Sequence, residues 1–126
     1  MMTDEWDGAT TLMWGGEDRR FRLGIGELRR IEAVATVGIF NVLDRLVTRT
    51  ATLDEVRAVL KHGLEGAGVD ANTAEVEVRR YYDDAPKAPS LPVAAFVLMT
   101  ALHPPEDATS EKPAGDGTQP NGSPSP

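Results

Sequence analysis

The spacing of apolar and polar residues changes along the chain. Thr10, Thr11, Leu12, Met13 and Trp14 favour strands, and Phe21, Leu23 and Ile25 alternate with Arg20, Arg22 and Gly24. A period of two sets one strand face against a core and leaves the other to solvent. Gly15-Gly16-Glu17-Asp18 lies between the runs as a turn signal. Residues 9–25 therefore read as a β-hairpin, with Gly24 and Gly26 bracketing the strand exit.

From Glu27 the period becomes helical. Leu28, Ile31 and Val34–Ala35 share a face opposite Arg29, Arg30 and Glu32. After Gly38 a second set follows, Ile39–Phe40, Leu43 and Leu46–Val47. This pattern predicts two helices, or one kinked at Gly38, with Phe40 in the core. Thr52 with Glu55 three residues on is a capping box, opening a helix striped by Leu53, Val56, Val59–Leu60 and Leu64. Gly63, Gly66 and Gly68 mark its end and close packing. Asn72 or Thr73 is expected to cap a helix over Ala74–Tyr82, ending at Asp83-Asp84-Ala85-Pro86. Ser90 is expected to cap a last helix, with Pro92 in its first turn where proline is tolerated. From Val93 to Leu102 that helix is almost wholly apolar, so it is buried or docked on a partner.

The fold class expected is therefore α+β and mostly α: an N-terminal hairpin, then four or five short helices, then a disordered C-terminal tail. The expected divisions are a flexible N-terminus (1–8), one hairpin-plus-helices domain (9–102) and the tail (103–126). The tail holds six of the nine prolines and no aliphatic residue larger than alanine. Such a segment cannot bury enough apolar surface to offset its ordering entropy.

The net charge of -7 sits at the ends. Residues 1–18 have five acids and no base, and residues 103–126 have four acids and one lysine. The body between has 12 bases against 11 acids, which argues against nucleic-acid binding. No run approaches the roughly 20 apolar residues of a membrane span, and no signal peptide is evident. The lack of cysteine fits a reducing cytoplasm and removes thiol chemistry.

The search for chemistry yields no catalytic, metal or cofactor-binding residues. His62 and His103 are isolated, and a lone helical histidine is most simply a surface or core-edge residue. Asp83-Asp84 reads as a solvated helix end. Gly63-Leu64-Glu65-Gly66-Ala67-Gly68 ends a helix rather than opening one, so it lacks the macrodipole of a phosphate site. Trp14 is expected on the hairpin, and Trp6 in a loose segment. The chain therefore reads as a non-enzymatic interaction protein.

Five motifs occur in order: Phe21-Arg22-Leu23-Gly24-Ile25-Gly26-Glu27-Leu28-Arg29-Arg30-Ile31-Glu32; Asp54-Glu55-Val56-Arg57; Lys61-His62-Gly63-Leu64-Glu65-Gly66-Ala67-Gly68; Val78-Arg79-Arg80-Tyr81-Tyr82-Asp83-Asp84-Ala85-Pro86; and the apolar Pro92–Leu102. In this the chain resembles the gene transfer agent tail protein family, grouped with phage tail assembly chaperones and also associated with the tail tube. Lys61-His62 and Lys87-Ala88-Pro89 depart from the family's usual residues. The resemblance implies a tail assembly chaperone that binds the tape measure protein and assists the tail tube protein, in a phage, prophage or gene transfer agent. The alternative is a structural tail component, a tail tube or tail-completion subunit. Self-association is a further expectation. The candidate partner-binding residues are Tyr81, Tyr82, Phe96, Val97, Met99 and Leu102.

Overall fold

A computed structural model describes residues 6–103. Residues 1–5 and 104–126, which carry most of the expected flexible N-terminus and disordered tail, lie outside the described residues. The fold below is that of Asp7–Leu102.

The architecture is α+β and mostly helical. Strands β1 (Ala9–Trp14) and β2 (Glu17–Arg22) form an antiparallel hairpin, with Trp14 opposite Glu17 and Ala9 opposite Arg22. Gly15 and Gly16 supply the loop, at φ of 67° and 85°. Two successive positive φ values define the tight turn whose twist matches a hairpin, and glycine adopts them without steric cost. The inner face carries Trp14 and Phe21, both buried.

The hairpin ends earlier than the alternation of Phe21, Leu23 and Ile25 implies. Helix α1 spans Ile25–Ala35, and Ile25 is exposed at its first turn. The Glu27 carboxylate accepts the Gly24 N–H at 2.7 Å, satisfying a donor that a helix start would otherwise orphan. That bond moves the boundary to Gly24 and turns Ile25 away from the core.

Two helices, not one, lie around Gly38. Thr36 ends α1 in the left-handed region (φ 58°), and Gly38 precedes α2 (Ile39–Val47). Glu32 reaches across to accept the Ile39 N–H at 2.8 Å. Ile39, Val42, Leu43 and Leu46 are buried, but Phe40 is 65% exposed, against the expectation of a core residue. Adjacent helical residues diverge by about 100°, so the Ile39–Phe40 pair cannot both face one core.

Helix α3 (Leu53–Gly66) opens with the expected capping box. Thr52 Oγ1 accepts the Glu55 N–H at 3.1 Å, and Glu55 accepts the Thr52 N–H at 3.0 Å. Glu55 is buried, and its other carboxylate oxygen accepts from Arg45 on α2. Helix α3 is the hub of the core: α1, β2, α4 and α5 all pack against it.

Helix α4 (Ala71–Val78) starts before the expected Ala74, because Asp70 caps it and not Asn72 or Thr73. Asp70 accepts from both the backbone N–H and the hydroxyl of Thr73. The α-helix also stops short of Tyr82 and widens into a π-helical turn over Arg79–Asp83. Helix α5 (Ser90–Leu102) closes the core with Ala94, Val97, Leu98 and Ala101. The Ser90 hydroxyl, expected as a cap, is buried and accepts the Trp14 indole N–H at 2.9 Å.

Candidate functional site

Part of the apolar surface left over after folding lies where α2 meets α5. Leu46, Val47 and Arg49 on one side, and Leu91, Pro92, Ala95, Phe96 and Met99 on the other, line an open groove of about 310 Å³. Val47 is 54% exposed, Phe96 49% and Met99 38%. Isolated apolar residues are ordinary on a protein surface, but a contiguous set around a groove marks an interaction site. Arg49 supplies a cation at the rim. Its backbone is left-handed (φ 65°), a strained choice for a residue with a Cβ.

The six residues singled out by sequence do not converge. Phe96 and Met99 line the groove. Val97, on the same helix, is buried and packs toward Gly63. Leu102 is partly buried against the core. Tyr81 lies at the hairpin tip. Its ring meets Trp14 edge-on, 5.6 Å between centroids, and the Arg19 guanidinium lies 4.9 Å from it. A Cβ on Gly15 would fall 2.7 Å from that ring. Tyr82 is buried and donates its hydroxyl to the Leu53 carbonyl at 3.2 Å, and burial pushes its pKa up. The tyrosine pair is thus part of the internal packing.

Sequence reasoning missed Leu46, Val47, Arg49, Leu91, Pro92 and Ala95. One signal for α2 was available: Phe40 and Val47 are seven residues apart, two helical turns, and so share a face.

Asp84 is exposed, as expected of a solvated helix end, but Asp83 is not. Asp83 accepts from Arg57 Nε at 2.9 Å and Arg57 Nη2 at 2.8 Å. The same guanidinium reaches Glu75 at 2.7 Å, and Lys61 and Arg79 stand nearby. Hydrogen bonds from Arg57 hold Glu75 down to about 2 and hold Asp83 below the usual carboxylate range. Hydrogen bonds to Asp83 and Glu75 in turn raise the Arg57 pKa. A planar fork gripping two carboxylates fastens α3 to α4 and the π-helical turn.

His62 is mostly buried and hydrogen-bonded to Glu65 at 2.8 Å. No group of three or more histidine, cysteine, aspartate or glutamate side chains among the described residues could hold a metal ion. No helix among them is long and apolar enough to cross a membrane.

No curated protein and no solved structure matches the chain. A family model described as phage tail tube protein, GTA-gp10, matches residues 7–103. That span takes in the hairpin, all five helices and the groove, and the chain belongs to the phage tail tube protein family GTA-gp10.

Proposed function

We propose that this protein is a structural tail component, a tail tube or tail-completion subunit, that docks on its neighbours through the α2–α5 groove. The family match over residues 7–103 carries this reading, since the family is a structural and not an enzymatic one. The groove supports it: Val47, Phe96 and Met99 remain available after the core is complete. A subunit that joins an assembly needs such a reserve of unspent apolar area.

The test is mass spectrometry of purified particles. Stoichiometric presence is the expected result. Absence from finished particles that nevertheless require the gene for tail formation would overturn it.

A second reading, tail assembly chaperone, is favoured by one observation. The groove lies between two helices and is lined almost wholly by apolar residues. That form suits the apolar stripe of an amphipathic helix, such as a tape measure protein would expose before enclosure. Co-expression separates the two. The chaperone reading expects the tape measure protein to become soluble and to co-purify with this chain, and Phe96→Ser with Met99→Ser to abolish both effects.

A further inference from the structure

The two edges of the hairpin differ: α5 packs against β1 at Trp14, yet the outward backbone groups of β1 are left without backbone partners among the described residues. The two-residue loop makes Trp14 and Glu17 a pair that exchanges both backbone hydrogen bonds. Alternation then assigns the same role to Leu12 with Arg19 and Thr10 with Phe21. The N–H and C=O groups of Thr11 and Met13 therefore point away from β2. None has a backbone partner among the described residues. On β2 the outward groups belong to Asp18, Arg20 and Arg22. There the edge is obstructed, because the Arg22 carbonyl lies against Gly66 of α3, where an added Cβ would stand 1.9 Å from the oxygen.

Free strand edges are normally blunted by a charge, a proline or a bulge. β1, with the sequence Ala-Thr-Thr-Leu-Met-Trp, has neither charge nor proline, and its pairing with β2 is unbroken. Met13 is 63% exposed. We propose that β1 pairs antiparallel with β1 of a second copy of this chain, extending the hairpin into a four-stranded sheet about a two-fold axis at Leu12.

The occupant follows from what surrounds the edge. The segment before β1 is drawn to the opposite strand: Asp7 accepts from Arg20 at 3.1 Å through its carboxylate and from Arg22 Nε at 2.9 Å through its carbonyl. The segment after α5 is broken by six prolines, and its longest proline-free stretch, 106–112, carries four charges. Proline cannot donate to a ladder. β1 is complementary to itself. An isologous pairing sets Thr11 opposite Met13 of the second copy and Met13 opposite its Thr11, each pair exchanging two hydrogen bonds. On the exposed face the resulting row runs from Arg20 through Thr11 and the second Met13 to the second Asp18. Its ends then bear opposite charges, whereas a Thr11-on-Thr11 register ends in two arginines.

The experiment combines sedimentation equilibrium with amide hydrogen exchange on the full chain. As concentration rises, the mass is expected to move from 13.6 kDa towards twice that value. The Thr11 and Met13 amides should gain protection of about tenfold or more over the same range. Thr11→Lys with Met13→Lys places charges on exposed positions, and should leave the circular dichroism unchanged while holding the chain monomeric. A monomer at every concentration overturns the proposal. So does a dimer in which these two amides exchange freely, or one that survives the double lysine variant. These readouts need no particle, so they fail or hold apart from the tail-subunit reading.

Discussion

Two seams of this small fold have opposite character. Where α3 crosses β2, the packing is closed to its limit: Gly63 lies against Phe21 and Val97, and Gly66 lies against the Arg22 carbonyl. Where α2 meets α5, the seam is left open, with Phe96, Met99 and Val47 only half covered. Both seams bring apolar side chains together, so hydrophobicity alone does not distinguish them. The difference is residue size. Glycines let α3 touch a strand backbone, while Phe96 and Met99 project from α5 with nothing beyond them to fill. The open seam is the surface through which the proposed docking would occur.

The largest test of that contrast is Gly66→Ala. Its new carbon falls 1.9 Å from a backbone oxygen, which cannot swing aside as a flexible side chain would. A loss of about 3 kcal/mol or more is expected in urea unfolding, at the upper end of overpacking costs. Gly26→Ala is the control, since its added carbon meets nothing within 4 Å. Equal behaviour of the two variants would end the idea of a closed seam.

Next in size is the acid response of the Arg57 clamp. The folded pKa values of Glu75 and Asp83 are depressed, Glu75 to about 2 from an ordinary 4.5. Their contribution is therefore fully present above the unfolded carboxylate range and is lost as pH falls through the folded values. Wild-type melting temperature should drop as pH falls from about 5 toward 2. Arg57→Gln should be less stable at neutral pH and show a shallower acid slope. Parallel slopes would remove the clamp from the closed half of the molecule.

A smaller effect is expected at the rim of the open seam. Arg49→Gly relieves a left-handed backbone at a residue with a Cβ, so thermal unfolding should show a gain of about 0.5 kcal/mol. Incorporation into particles should fall at the same time, because the rim cation is lost. Smallest of all is Phe96→Ser with Met99→Ser, with a stability change within about 0.5 kcal/mol, as for ordinary surface positions. Loss of particle incorporation without loss of fold would sharpen the comparison; a large destabilisation would show that the groove belongs to the core.

Much of the fold was legible because local chemistry and global packing agree. Thr52 and Glu55 announce α3, and Gly15-Gly16 announce the hairpin turn. The errors arose where one pattern admits two structures. Phe21, Leu23 and Ile25 alternate, yet the Glu27 carboxylate captures Gly24 and starts a helix within that run. Asp83 looked solvated because Arg57 is 26 residues away, and no local rule joins them. The groove was half legible. In a helix as uniformly apolar as α5, periodicity carries no information. Only the partners on α2 and α3 decide that Val97 turns inward and Phe96 outward. The tyrosines were misplaced for a related reason: the π-helical turn resets the angular phase after Arg79, so spacing counted from α4 no longer predicts direction.

The bond between the Trp14 indole and the Ser90 hydroxyl spans 76 residues. It fastens the first strand to the last helix. During synthesis the hairpin emerges first, with Trp14 and Phe21 ready and nothing yet made to cover them. The core cannot close until α5 has left the ribosome, so an unfinished chain presents a sticky hairpin for the whole interval. The cover over Trp14 is therefore completed only when the last helix docks. With Trp6 replaced by phenylalanine, the emission of Trp14, shifting as water leaves its indole, is the clock for the moment at which the last helix docks.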